Sequence, residues 1–244
     1  MRARRGIFPT DSLVTGQASL DLFLESASAR IRKVPSIRDE IVKHDVVVTG
    51  YPRSGNSFLA KTLKCASNQV SVGERQHSPL AVPLGATEAV PIVIPIREPI
   101  ETISSWVLFR GASWSLASLR KYVRSYTRWY DFVRRNRDPE MSVVIPFNEF
   151  TGEPSNVLRR PLIRDVVQPE NVDLSPEEIL VELRQQEVAE RGSSFATTAS
   201  VPVGDRERAL RQVQKRLGAT ALAEAINAAN EQFELLRAEV EQLP

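Results

Sequence analysis

The apolar positions of the chain form short runs in its first part and helical stripes in the rest. Val46-Val47-Val48 is a β-branched run with a turn immediately behind it, which predicts a strand. The apolar stretch from Phe58 to Leu63 then predicts a helix, so residues 44–58 read as strand, loop, helix. Further strands are expected at Gln69–Gln76, at Pro91-Ile-Val-Ile-Pro-Ile96 and at Ser142-Val-Val-Ile-Pro-Phe147. Pro95 removes a ladder donor from its run, which demotes that strand or marks it as an edge. From Ser118 to Arg135, Leu119, Tyr122, Tyr126, Trp129, Tyr130 and Val133 recur at helical spacing, an aromatic stripe expected to pack in the core. Ser175-Pro-Glu-Glu178 combines an N-cap, a proline at the first helical position and a capping-box acid, and it opens a helix to about Arg191. Gly192 to Ser200 is small and polar and is expected to be a loop. From Asp205 onward, Leu210, Val213, Leu217, Leu222, Ile226, Phe233, Leu236 and Val240 mark two amphipathic helices broken near Gly218. They are expected to pack on the sheet, with the last as an alternative dimer helix.

The loop after the first strand carries the most chemistry. Gly50 and Gly55 enclose four residues and Asn56-Ser57 follow, the spacing of a phosphate-binding loop in which Asn replaces the usual Lys. The positive group has moved to Arg53. Backbone N–H groups and the positive end of a helix dipole aimed at one point suit a phosphate or a sulfate. A nucleotide triphosphatase needs the Lys for its β- and γ-phosphates and a metal to offset their charge. A sulfuryl group carries less charge, so one cation and the backbone donors suffice for it.

The string YPRSGNSF, residues 51–58, resembles the 5′-phosphosulfate loop of the sulfotransferases that use 3′-phosphoadenosine 5′-phosphosulfate, commonly YPKSGTTW. Arg53 stands at the family's Lys, Asn56 and Ser57 at its two Thr, and Phe58 at its Trp. A second match is Arg97, Pro99 and Ser105, which fit the RxPxxxxxS pattern that holds the nucleotide's 3′-phosphate in that family. Pro99 suits a first helical turn, and Ser105 two turns on lies on the face that Arg97 also reaches. The resemblance implies that Arg53, Ser54, Gly55, Asn56, Ser57, Phe58, Arg75, Arg97 and Ser105 contact the donor. It also implies an α/β three-layer sandwich of the P-loop type with a central parallel sheet and a helical C-terminal part. One domain over residues 1–244 is expected, with a nucleotide-binding core at about 45–150 and the helical part at about 151–244.

Only two histidines are present, His44 and His77. His44 precedes the first strand and needs no function there. His77 precedes Pro79 at an expected strand end, and open parallel sheets bind ligands at the carboxyl ends of their strands. In the resembling family a His in a Lys-x-His context takes the acceptor's proton. Here the string is Arg75-Gln76-His77, which makes Arg75 the match for the Lys that touches the sulfate. The implied catalytic set is therefore His77, Arg53 and Ser57, with Glu149 as a fallback base. Phe147-Asn-Glu-Phe150 resembles the family's YEDL segment, and Phe147 and Phe58 are candidates either for the adenine ring or for the core. The family's RKGxxGxWK segment is missing, with Arg191-Gly192 its nearest remnant, and so is its KxxxTVxxxE dimer motif.

Composition narrows the setting. A chain of 244 residues, 42% of them hydrophobic, can bury one sizeable core. A net charge of +2 argues against a nucleic-acid partner, and the basic start at Arg2, Arg4 and Arg5 is too short for a binding tail. Cys65 is the single cysteine, which rules out an internal disulfide and fits a reducing compartment. With no apolar run near a membrane span and no signal-peptide core, a cytoplasmic protein is expected. The acceptor would be a hydroxyl on a glycan, lipid, small metabolite or peptide, no metal is expected, and a homodimer is one option. A P-loop kinase and a non-catalytic scaffold that keeps the nucleotide fold are the alternative classes.

Overall fold

The computed structural model describes residues 35–112, 114–191 and 205–241. The N-terminal arginines, the 192–200 segment and Gly192 of the C-terminal remnant lie outside the described residues. Four strands, β1 (Val46–Thr49), β2 (Val72–Gln76), β3 (Ile92–Ile96) and β4 (Ser142–Pro146), form one sheet in the order β2-β1-β3-β4. Every pairing is parallel.

Burial on both faces explains the apolar, unalternating sequences of β1, β3 and β4. Val47, Ile92, Ile94, Ile96 and Val144 point into one core and Val46, Val48, Val93, Val143 and Ile145 into the other. The first core is closed by α1 (Ile37–Ile41), α3 (Ala81–Glu88), α4 (Pro99–Phe109), α5 (Leu116–Asn136), α10 (Asp205–Leu217) and α11 (Ala223–Glu241). The second is closed by α2 (Asn56–Ala66), α6 (Phe147–Gly152), α7 (Ser155–Leu158), α8 (Pro161–Val167) and α9 (Pro176–Arg191). The result is the expected three-layer α/β arrangement, and the helices after residue 150 complete both outer layers. A turn of 3₁₀ helix at Thr220–Leu222 separates α10 from α11 near Gly218. Ile226, Ala229, Phe233, Leu236 and Val240 of α11 are buried, and the helix packs on α5 and β4, so its apolar stripe is spent inside the fold. Among the described residues no helix is long and apolar enough to cross a membrane.

Helix ends follow their sequence signals. Ser175 Oγ accepts from the Glu178 N–H at 3.2 Å while Glu178 Oε2 accepts from the Ser175 N–H at 3.0 Å, closing the capping box. That reciprocal bond holds the Glu178 carboxyl below its ordinary value. His44 Nδ1 lies 2.9 Å from Ser71 Oγ, and its ring covers Gly73, where a Cβ would come within 2.7 Å of it. The structural role expected for His44 is thereby accounted for.

Pro95 corrects the edge-strand expectation, because β3 is central. Ile92 donates to Met141 O on the β4 side, so alternation turns the nitrogen of Pro95 toward β1. β1 pairs with β3 at Val47↔Ile92 and Val48↔Val93, and the strand ends at Thr49, before the level of Pro95. The Pro95 carbonyl accepts from Tyr130 Oη at 3.1 Å.

The aromatic stripe of α5 also does more than fill space. Tyr126, Trp129 and Tyr130 are buried, and each carries its polar tip to a backbone carbonyl or hydroxyl beneath the loops. Tyr130 Oη lies 2.9 Å from Ser54 Oγ as well. Burial pushes the phenols of Tyr126 and Tyr130 above their ordinary values, which keeps both hydroxyls protonated as donors. Tyr130→Phe should therefore cost about 1–3 kcal/mol, since the Pro95 carbonyl and Ser54 hydroxyl lose a buried partner. Urea unfolding checks it: the midpoint falls while the slope is unchanged.

Candidate functional site

The loop from Gly50 to Gly55 leaves the carboxyl end of β1 and enters α2 through two left-handed residues, Arg53 at φ 74° and Gly55 at φ 95°. Gly55 has no room for a side chain, since a Cβ there would come within 2.6 Å of Phe150 and 2.9 Å of Phe147. Gly50 is equally confined, with Asn56 Oδ1 at 2.7 Å and Pro95 Cγ at 2.9 Å from the same imaginary atom. The loop thus turns tightly enough to bring the first, intrinsically unpaired N–H groups of α2 to the sheet end.

Two residues expected to touch a ligand spend their side chains inside the loop instead. Asn56 is buried, and its Nδ2 donates to Gly50 O at 3.3 Å and Tyr51 O at 3.1 Å. Ser54 is fully buried, donates its N–H to Tyr51 O at 3.1 Å and meets Tyr130 with its hydroxyl. A polar side chain at a loop bend has unpaired carbonyls within reach, and burial makes satisfying them the stronger demand. Ser57, at the second helical position, is half-buried. Phe58 is buried and packs on Phe150 with ring centres 6.0 Å apart, which is a core position.

Arg53 and Arg97 are held beside one another by different partners. Arg53 Nε donates to Ser105 Oγ at 3.1 Å, and its guanidinium carbon lies 5.2 Å from the centre of the Phe109 ring. Arg97 Nη1 donates to Arg53 O at 3.4 Å, while its Nε and Nη2 each lie 3.0 Å from Glu101 Oε2. The carbonyl of Arg97 is itself fixed, accepting from Tyr126 Oη at 2.7 Å and Thr102 Oγ1 at 3.2 Å. Pro99 occupies the first turn of α4 as expected, and Ser105 two turns on reaches the site. Its partner, however, is Arg53 and not Arg97.

His77 joins the same loop from β2. Its Nδ1 lies 3.0 Å from Gly50 O, and since a carbonyl only accepts, Nδ1 carries the hydrogen. In the neutral ring the lone pair is then on Nε2. Trp129 Nε1 donates to the His77 carbonyl at 3.0 Å, so both backbone and ring are pinned. Arg75 lies in β2 two residues earlier, and its side chain is outside the described set. Glu149, the fallback base, is engaged by Arg160: its two oxygens lie 2.8 and 2.9 Å from Arg160 Nη2.

The structure therefore brings His77, Arg97 and Ser105, from three other segments, against the loop that carries Arg53. Tyr126, Trp129 and Tyr130 belong to the site's support and were not singled out for it by the sequence; their only signal was the polar atom each carries on a buried stripe. Glu101, one helical turn after Arg97, is the ion-pair partner that sequence spacing offers that arginine.

No protein-family model matches the chain. No curated protein matches it in sequence either. Among solved structures it is similar to a mouse sulfotransferase, SULT7A1, complexed with PAP, at 12% sequence identity. That match covers 80% of this chain and 93% of the mouse chain with a TM-score of 0.38, a likeness too slight to bear on what this chain binds.

Proposed function

We propose that the protein moves a sulfuryl group from 3′-phosphoadenosine 5′-phosphosulfate to an acceptor hydroxyl. The observation that carries this reading is His77 seated on the carbonyl of Gly50, the first residue of the anion loop that presents Arg53. A base and a cation fixed to the same short loop suit a transfer in which a proton leaves one oxygen while charge grows on another.

In this reading the acceptor oxygen attacks sulfur, its proton passes to Nε2 of His77, and the bond from sulfur to the bridging oxygen breaks. The electron pair leaves with the 5′-phosphate. Arg53, the hydroxyl of Ser57 and the N–H groups that open α2 stabilise that negative charge. Arg53 acts only electrostatically, because a guanidinium keeps its proton in proteins. Arg97 takes the 3′-phosphate on the fork that meets Glu101, with Ser105 adding a hydroxyl. Arg75 supports the sulfate from β2. A cytosolic setting and an acceptor drawn from glycans, lipids, small metabolites or peptides complete the proposal.

Asn56 weighs against a kinase, because it stands where the phosphate-binding Lys would be and faces inward. Thermal melting separates the classes. 3′-Phosphoadenosine 5′-phosphate at a hundred times its Kd should stabilise the fold by about 2.7 kcal/mol, and ATP with magnesium should not. Stabilisation by ATP alone would establish the kinase reading, and by neither the scaffold.

Arg53→Lys should keep a measurable rate, since a point charge still reaches the sulfate, whereas Arg53→Met should lose roughly two or more orders of magnitude in kcat. Added EDTA should leave the wild-type rate unchanged. Loss of the rate on chelation would make a metal part of the reaction.

His77→Ala should lower kcat by about a hundredfold to ten-thousandfold while donor binding survives. The wild-type rate should fall as pH drops and the imidazole gains its proton, because only the neutral ring can accept one. The pH profile of the alanine variant should lack that acid limb.

A further inference from the structure

Phe147 sits where the resembling family offers an aromatic ring to the adenine, yet its surroundings here are different. The guanidinium carbon of Arg97 lies 4.1 Å from the ring centre, the closest such approach among the described arginine–aromatic pairs. The ring cannot easily turn away. Gly55 of the anion loop lies against it, so that even a Cβ there would meet Phe147 Cδ2 at 2.9 Å. Phe150 meets it edge-on, with centres 5.5 Å apart and planes at 77°. Chain geometry fixes the base of the side chain too, since Phe147 is the first residue of α6, directly after Pro146 ends β4.

We propose that Phe147 is a positioning residue for Arg97 and, through it, a determinant of preference for 3′-phosphorylated nucleotides. This rests on the reading above that Arg97 holds the 3′-phosphate. The physical case is that Arg97 is anchored from three sides. Glu101 meets its Nε and Nη2, Arg53 O accepts from Nη1, and the negative face of Phe147 lies beneath the cation. A phosphate that takes the fork removes the Glu101 contact. What then keeps the guanidinium planar to the incoming oxygens is the ring and the Arg53 carbonyl. A flat, apolar support leaves the in-plane N–H donors pointing outward, which a forked anion contact requires.

Two ligands distinguish this role from adenine stacking, because 3′-phosphoadenosine 5′-phosphate and adenosine 5′-phosphosulfate share the base while only the first bears a 3′-phosphate. Calorimetry on the full chain with both provides the test. Phe147→Leu should weaken the 3′-phosphorylated ligand by roughly 3- to 30-fold, the range of a cation–π contact, and leave adenosine 5′-phosphosulfate within about twofold. Phe147→Trp should restore the affinity. Phe147→trifluorophenylalanine keeps the shape but drains the ring face of negative charge, so it should reproduce the selective loss even if the leucine variant fails to fold. Equal losses for both ligands would assign the ring to adenine and overturn the inference, as would no loss for either. If the wild type binds neither ligand, the nucleotide reading falls and this inference with it.

Discussion

The carbonyl oxygen of Gly50 ties together three segments that meet at the sheet end. It closes β1, receives the Asn56 amide from the first residue of α2 at 3.3 Å, and receives His77 Nδ1 from the segment after β2 at 3.0 Å. A carbonyl has two lone pairs, so both bonds can be made at once. Buried beneath the loop, that oxygen would be costly to leave unpaired, and the cost falls on whichever donor is removed. The geometry admits only glycine at the position, because any Cβ would collide with Asn56 and Pro95. One backbone atom thereby fixes the loop's start, the helix's first turn and the orientation of the imidazole.

From that constraint the strained backbone at Arg53 follows. A non-glycine residue at φ 74° carries a penalty of order 1–3 kcal/mol. The turn is nonetheless stable, because Ser54 N donates to Tyr51 O, Ser54 Oγ meets Tyr130, and the Arg53 carbonyl accepts from Arg97. An arginine suits this place better than the lysine of a phosphate loop for a geometric reason. Its Nε can bond Ser105 while the rest of the fork extends past Phe109, whereas an ammonium is one point charge.

The sequence made the local order of the site readable. Three β-branched valines, two glycines enclosing four residues, a proline at the start of α4, and the Ser175 capping box each act within a few residues, so their consequences are local. The supports were not readable, because their partners are distant in sequence. Trp129 bonds the carbonyl of His77 at a separation of 52 residues, and Tyr130 that of Pro95 at 35. A spacing rule sees three aromatic residues on a helix face and correctly predicts burial, but it carries no information on which carbonyl each polar tip will meet. Pro95 was misjudged for a related reason. Whether a missing N–H matters depends on the neighbouring strand, and β1 has already ended there. The pairing of Ser105 with Arg53 likewise needed the fold, since helical spacing alone placed it on the side of Arg97.

Glu101 explains how two adjacent arginines are tolerated. Its carboxylate neutralises Arg97 from one helical turn away, yet its side chain is 46% exposed. An exposed pair of this kind is worth at most about 1 kcal/mol. A charge-assisted contact to a forked anion contributes more, about 1.5–3 kcal/mol. On the proposed reading, the carboxylate is strong enough to hold the guanidinium in place and too weak to keep out a phosphate. It can swing into water at little cost, while Phe147 and the Arg53 carbonyl stay where the fold has set them. On the proposed reading of Arg97, selectivity would fall to anions that use both edges of the fork, because a single weak contact does not offset the loss of Glu101.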